Sequence, residues 1–238
     1  LESGAAKSGI SGQLLNQLTQ MNGFLLVVRA FVDDSVAHPS GSVDALRDLE
    51  AMTGELLLND LIAVERKLER LTEERKKGGT DKVINERQTA LFTKLHQALN
   101  ANTPLRKLEL TADESRELAS FGLLTRKPLL TVFNLGEGQQ PLEAQLDHPS
   151  VPLMGKLEME IAQLSPEDAS TFMQEYGIEE LGLSRMIRLS YDLLKLQSFF
   201  TVGEDEVRAW TVDRGATAVE AAGAIHTDLQ HGFVRAEV

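Results

Sequence analysis

Asn134 and Glu137 carry the clearest chemistry in this sequence, at the end of the apolar run 127–137, Lys-Pro-Leu-Leu-Thr-Val-Phe-Asn-Leu-Gly-Glu. An Asn side chain offers an amide donor and a carbonyl acceptor, and a carboxylate only accepts. Together they suit the polar edge of a purine. The run before them is rich in β-branched and aromatic residues and bounded by Pro and Gly, which predicts a buried strand of a parallel sheet. Ligands in such sheets bind just beyond the carboxyl ends of the strands. The plain alternative is a strand-to-loop turn, since Asn and Gly are ordinary turn residues.

The base that this spacing selects follows from what it lacks. In GTP-binding proteins of the P-loop class the corresponding motif is Asn-Lys-x-Asp, whose Asp accepts from two neighbouring N–H groups of guanine. Leu135 stands here for the Lys and Glu137 for the Asp. A carboxylate longer by one methylene is misplaced for guanine, and a mismatched polar site can lose on the order of 10⁴ in discrimination. Adenine is therefore the expected base.

The elements that must hold these residues can be outlined from pattern. Leu14, Leu15 and Leu18 have helical spacing, and 24–31 (Phe-Leu-Leu-Val-Val-Arg-Ala-Phe) predicts a second buried strand. From Asp44 to about Leu123 the composition is helical and charged. There Leu57, Leu61, Val64, Leu68 and Leu71 step by four and three, a coiled-coil seam. Lys76-Lys77-Gly78-Gly79-Thr80-Asp81 breaks it, and Ile84, Leu91, Leu95 and Leu99 resume it in part. Two helices around such a turn fold back as an antiparallel hairpin, each arm roughly 45 Å long, that projects as a contact device or spacer. The alternative is an amphipathic bundle packed on the core. Beyond the polar link 138–150 come an acidic helix, 157–164, and a helix starting at Ser165-Pro166, where Ser is a good N-cap and Pro fits the first turn. Short strands are expected at 199–202, 207–212 and 232–238, with a helix at 216–224 between the last two.

Composition narrows the function classes. The 238 residues, 42% apolar, suggest one large or two to three small domains, with no membrane span and no signal-peptide pattern at the start. Zero Cys excludes thiolate chemistry and fits a cytoplasmic protein, and five scattered His give no metal spacing. A formal charge of −12 argues against DNA and against nucleic-acid coating by general electrostatics. Local basic spots such as Arg75-Lys76-Lys77 with Lys82 remain.

At this point the chain resembles the Obg-related P-loop nucleotidases of the YchF type, called Obg-like ATPases in eukaryotes. The resemblance rests on 207–211 (Val-Arg-Ala-Trp-Thr), 221–223 (Ala-Ala-Gly), 225–228 (Ile-His-Thr-Asp) and 232–238 (Gly-Phe-Val-Arg-Ala-Glu-Val), similar to that family's TGS domain. Gly41-Ser42-Val43-Asp44 with Arg47-Asp48-Leu49-Glu50 is similar to the start of its coiled-coil domain, and Asn134-Leu135-Gly136-Glu137 matches its Asn-x-x-Glu. The resemblance implies an α/β chain made of an incomplete P-loop G domain, an inserted antiparallel coiled-coil arm and a C-terminal α+β TGS domain of β-grasp fold. The expected boundaries are 1–43 and 124–196 for the G-domain parts, 44–123 for the hairpin and 197–238 for a truncated TGS domain.

Site residues follow from the same resemblance. Asn134, Leu135 and Glu137 would bind the base, with Met154 and Gly155 of Met154-Gly155-Lys156 in the place of a Ser-Ala-Lys motif whose backbone supports it. Gly4, Lys7 and Gly12 resemble the tail of the second switch loop, where glycines allow reordering around a phosphate. His38 would orient the attacking water. Asp33 and Asp34 read as solvated loop acids, His226 and His231 as structural or RNA-proximal, and Arg185 and Arg188 as solvated.

The expected activity is hydrolysis of magnesium ATP, with GTP less favoured, by a ribosome-associated protein. The alternative is an RNA-, ribosome- or protein-binding module without turnover in this polypeptide. No G-x-x-x-x-G-K-[ST] occurs in the sequence. The phosphate cradle and the Mg2+ ligands are thus expected in a preceding segment.

Overall fold

The computed structural model describes residues 10, 12–78, 81–142, 145–203 and 205–235. They form two compact units, Leu1–Gln163 and Leu164–Val238. In the first, helix α1 (Gly12–Gln20) leads to strand β1 (Phe24–Arg29), a long helical pair follows, and the chain returns to strands β2 (Leu129–Asn134) and β3 (Ser150–Leu153). The sheet is parallel, in the order β1-β2-β3. Its middle strand is β2, buried at all but its last position, which is why the sequence there is almost continuously apolar. The connection from β2 to β3 contains no helix among the described residues, although a helix is the usual parallel crossover.

The helical pair is α2 (Ala45–Lys77) and α3 (Lys82–Asn100). Asp44 caps α2 by accepting from Arg47 N–H, Gly78 ends it in the left-handed conformation at φ 69°, and Asp81 caps α3 through Val83 and Ile84. The expected seam is present: Val64 and Leu71 are buried with Leu91, Leu95 and Leu99, and Leu57, Leu61 and Leu68 pack against them. Two expectations are corrected. Ile84 is exposed at 46%, because the next residue, Asn85, takes the inward position and donates to Leu71 O across the pair at 3.0 Å. The arms are also unequal, 33 and 19 residues, or about 50 and 28 Å at ~1.5 Å per residue. The length missing from α3 is taken by the returning chain, whose Leu105, Leu118 and Leu123 pack into the same core. The first turns of α2 belong to the sheet instead: Ala45 and Leu49 pack with Val28, Ala30, Phe133 and Leu135.

A buried carboxylate joins these parts. Asp60 of α2, 2% exposed, accepts from Leu124 N–H (2.7 Å), Thr125 N–H (2.7 Å) and the Thr125 hydroxyl (2.6 Å). Thr125 Oγ1 also accepts from Leu105 N–H at 3.2 Å, and its carbonyl from Arg106 N–H at 2.9 Å. Next along, Lys127 donates to the carbonyls of Leu18 and Thr19 at 2.7 Å each, closing the end of α1. Gly122 adopts φ +43° beside it, where a Cβ would lie 2.9 Å from Thr19 Cβ. Five residues before β2 thus receive α1 and α2 together.

The returning chain carries the short helix α4 (Ala112–Glu117), and α5 (Gly155–Ile161) follows β3 within the first unit. The second unit comprises α6 (Pro166–Glu175), α7 (Gly182–Leu194), the antiparallel pair β4 (Leu196–Val202) and β5 (Val207–Asp213), α8 (Ala218–Ile225) and α9 (Thr227–His231). Ser165 caps α6 with Pro at the first turn, as expected, and Thr217 caps α8 with a full capping box. The strand expected at 232–238 is corrected: Gly232 is a turn and 233–235 are not extended into a ladder, while 236–238 lie outside the described residues. His226 caps α9, its Nδ1 accepting from Asp228 N–H at 3.1 Å. Arg188 is not simply solvated but pairs with Glu180 at 2.6 Å.

Burial pushes the Asp60 carboxyl above its usual value of 3.8, against the pull of the Thr125 and Leu124 donors. Ionisation is therefore harder in the folded chain than in the unfolded one, so this group's contribution is greatest below 3.8 and declines as pH rises through the folded value. Asp60→Asn turns an NH2 toward N–H donors, and is expected to lower urea-unfolding stability by about 1–3 kcal/mol at pH 7. The gap between parent and variant should widen as the pH is lowered toward 4, and a gap independent of pH would contradict the raised ionisation.

Candidate functional site

Because the three strands are parallel, their carboxyl ends meet at one edge, with Arg29 opposite Asn134 and Asn134 opposite Leu153. The loops that start there carry His38, residues 135–137, and Met154 with Gly155.

Asn134 organises this edge. Its Oδ1 accepts from the Gly155 backbone N–H at 3.1 Å. An N–H can only donate, so the orientation of the amide is fixed, and Nδ2 remains as a double donor without a partner among the described residues. Asn134 was expected to offer a ring both a donor and an acceptor; the acceptor is already committed. Gly155 is the first residue of α5, where helical N–H groups lack partners, and its N-cap Met154 supplies no side-chain bond. Asn134 therefore caps that helix from the neighbouring strand. The glycine is required by space: a Cβ at 155 would lie 2.9 Å from Asn134 Oδ1. Met154 packs its side chain against the sheet core.

Leu135 is corrected from a contact residue to an anchor. Its side chain is 4% exposed within the sheet core, and its N–H donates to Leu153 O at 2.8 Å. Side chains alternate beyond the strand end, so Asn134 and Leu135 cannot both face a ligand. Glu137 is exposed, followed by Gly138 at φ +70°. Gln139, which the sequence did not single out, stitches this loop to β1: its Oε1 accepts from Gly136 N–H at 3.0 Å and its Nε2 donates to Ala30 O at 3.0 Å. An exposed Gln in a polar link carries no sequence signal of such a bridge.

His38 is held differently from what a water-orienting base needs. Nδ1 accepts from Ser40 N–H at 3.2 Å, so Nε2 carries the proton and donates to Asp48 Oδ2 at 3.0 Å. Neither ring nitrogen is left for a water in this arrangement, and the side chain is 12% exposed. The loop before it is gathered by Arg29, another residue without a sequence signal, which donates to the carbonyls of Phe31, Asp33 and Val36. Asp33 takes the Ser35 hydroxyl and N–H at 2.6 and 2.9 Å, which hold its carboxyl below the usual range. Gly12 opens helix α1 with nothing within 4 Å of a Cβ, so the expected loop is helix there; Gly4 and Lys7 lie outside the described residues. Among the described residues no group of three or more His, Asp or Glu stands close enough to hold a metal ion.

A cavity of about 370 Å³ opens at the base of the helical pair, lined by Leu49, Thr53, Arg106, Asp147 and His148 among others. Several of its polar groups serve one another, although Arg106 Nε is buried without a hydrogen-bond partner among the described residues. Arg106 donates to Asp147 at 2.8 Å, Asp147 accepts from His148 Nδ1 at 2.7 Å, and His148 Nε2 meets the buried Thr131 hydroxyl at 2.8 Å. Burial would raise the Asp147 carboxyl, but these His148 and Arg106 contacts bring it below its usual value. The relay pins the start of β3 against β2.

Comparison with known proteins agrees with this architecture. The family model described as YchF-GTPase_C, a protein of unknown function, matches residues 196–238. The Ribosome-binding ATPase YchF of Bacillus subtilis is 36% identical over 98% of this chain and 67% of its own length, and that of Escherichia coli O157:H7 is 40% identical over 100% and 68%. The solved structure of the Schizosaccharomyces pombe YchF GTPase superposes with a TM-score of 0.82 at 30% identity, covering 95% of this chain and 64% of that one. The chain thus spans about two thirds of the length of these relatives.

Gly155→Ala should displace the Asn134 amide and cost about 1–3 kcal/mol in urea unfolding, as overpacking does, with a shift of the Asn134 side-chain amide resonances. Gly136→Ala, whose Cβ would meet only contacts at 3.5 Å, should change those resonances little. Equal effects of the two variants would contradict the close approach at 155.

Proposed function

We propose that this chain, which belongs to the YchF family, supplies the base-recognition side of the nucleotide site of a ribosome-associated ATPase. The observation that carries the proposal is the Asn134–Gly155 bond, which leaves the Asn134 Nδ2 donors at the carboxyl edge of a parallel sheet. A purine presents N7 as an acceptor whether it is adenine or guanine. Asn134 would hold either ring without choosing between them. Choice falls to Glu137, an acceptor suited to the adenine amino group, where guanine has an acceptor instead. His38 serves in this proposal as the tie between the β1 loop and the start of α2 through Asp48, with water orientation requiring that tie to open.

The sequence contains no G-x-x-x-x-G-K-[ST] and the described residues no metal cluster, so no catalytic step is assigned to residues of this chain. The phosphate cradle and magnesium belong, in this proposal, to the part of the relatives' length that the chain does not span. These 238 residues alone would bind without turnover. Ribosome association would use the turn of the helical pair, where Arg75, Lys76 and Lys77 are exposed beside Lys82 in a chain of net charge −12. The strands β4 and β5 with α8 would be part of a β-grasp TGS fold.

In the full-length protein, Asn134→Ala is expected to weaken ATP and GTP alike, by on the order of tenfold. Glu137→Gln, which adds a donor for the guanine acceptor, is expected to raise GTP affinity relative to ATP, and an unchanged ratio would refute this account of base choice. Leu135→Lys would instead bury an unpaired ammonium in the sheet core and is expected to destabilise the fold. Lys76→Glu with Lys77→Glu should reduce co-sedimentation with ribosomes several-fold at low salt, the difference shrinking as salt rises. Unchanged co-sedimentation at every salt concentration would remove the turn from the contact.

A further inference from the structure

We infer that Gln139 is a positioning residue for base choice, withholding the Gly136 N–H from a bound base. The inference rests on the base-site reading above and goes beyond it in naming what the loop does not offer. Gly136 lies between Asn134 and Glu137, so its backbone N–H is the nearest further donor on the base loop. A free donor there would favour a ring with an acceptor at the position where adenine carries its amino group, which is guanine O6. Gln139 Oε1 takes that N–H at 3.0 Å.

The side chain cannot easily turn away. Its Nε2 donates to Ala30 O at 3.0 Å, and a flipped amide would set donor against donor at Gly136 and acceptor against acceptor at Ala30. Ala30 in turn donates its own N–H to Asn134 O at 2.9 Å. A closed ring of bonds therefore runs from Asn134 through Ala30 and Gln139 to Gly136. Hydrogen bonding rather than crowding holds it: a Cβ at 136 would meet Gln139 Oε1 and Phe31 Cβ only at 3.5 Å, an ordinary contact distance.

The test uses the full-length protein, with ATP and GTP affinities measured by titration and Gly136 amide exchange followed by NMR. Gln139→Ala is expected to speed exchange at Gly136 by about tenfold or more and to lower the ATP:GTP affinity ratio several-fold. Gln139→Glu keeps an acceptor for Gly136 but sets a second oxygen against Ala30 O, and should give a ratio between those of the parent and Gln139→Ala. Asn134→Ala is run beside them. If Asn134→Ala leaves both affinities intact, the base-site reading and this inference fall together. If it weakens both and Gln139→Ala leaves the ratio unchanged, this inference alone is overturned. Faster exchange at Gly136 with an unchanged ratio also overturns it, because a merely structural clamp would behave that way.

Discussion

The Asp60 carboxylate is the constraint on which the rest of the first unit depends. It sits on a helix that begins against the sheet and ends in the seam of the helical pair, and it holds the backbone of Leu124 and Thr125 just before β2 begins. A carboxylate so deeply buried is costly unless donors surround it. Here three do, and each belongs to the returning chain. The long excursion through α2 and α3 is thereby brought back to a fixed point, which sets where β2 starts against β1. A slip of one residue would turn Asn134 from the edge into the core and Leu135 out of it.

The far end of the same strand is set by small distances. Asn134 faces Gly155 because only glycine leaves room, and the strand register puts Leu153 opposite Asn134 so that Gly155 arrives within reach. The relay of Thr131, His148, Asp147 and Arg106 fixes the start of β3 in the same register. Strand β2 is thus tied to the helical pair at its beginning, to β3 along its length and to two loops at its end. Among the described residues, what emerges at the edge is the Asn134 Nδ2 group with its two donors, and a carboxylate further along the loop.

Local pattern made the secondary structure legible and long-range pairing was hidden. The two apolar runs became β1 and β2, and Ser165 caps α6 as its residue type implies. Asp60 could have been noticed, since it lies four residues from both Leu56 and Val64 on the buried stripe of α2, a place where a charge needs partners. Its partners, more than sixty residues away, could not. Gln139 and Arg29 had no pattern at all, because their bonds go to backbone groups of other segments. Leu135 and His38 are held differently from expectation for one shared reason: a motif position gives residue type and order, whereas burial and the hydrogen bonds already made are decided by the neighbouring element, β3 for Leu135 and α2 for His38.

The central claim is that the Asn134 side-chain donors meet a purine ring. The most direct measurement is the 15N–1H signal of that amide, assigned by its loss in Asn134→Asp, during titration of the full-length protein with ATP and separately with tripolyphosphate. The account predicts a saturable shift with ATP and none with tripolyphosphate. An amide signal that stays in place while ATP saturates the protein would show that the base is bound elsewhere, and would contradict the site described for this edge of the sheet.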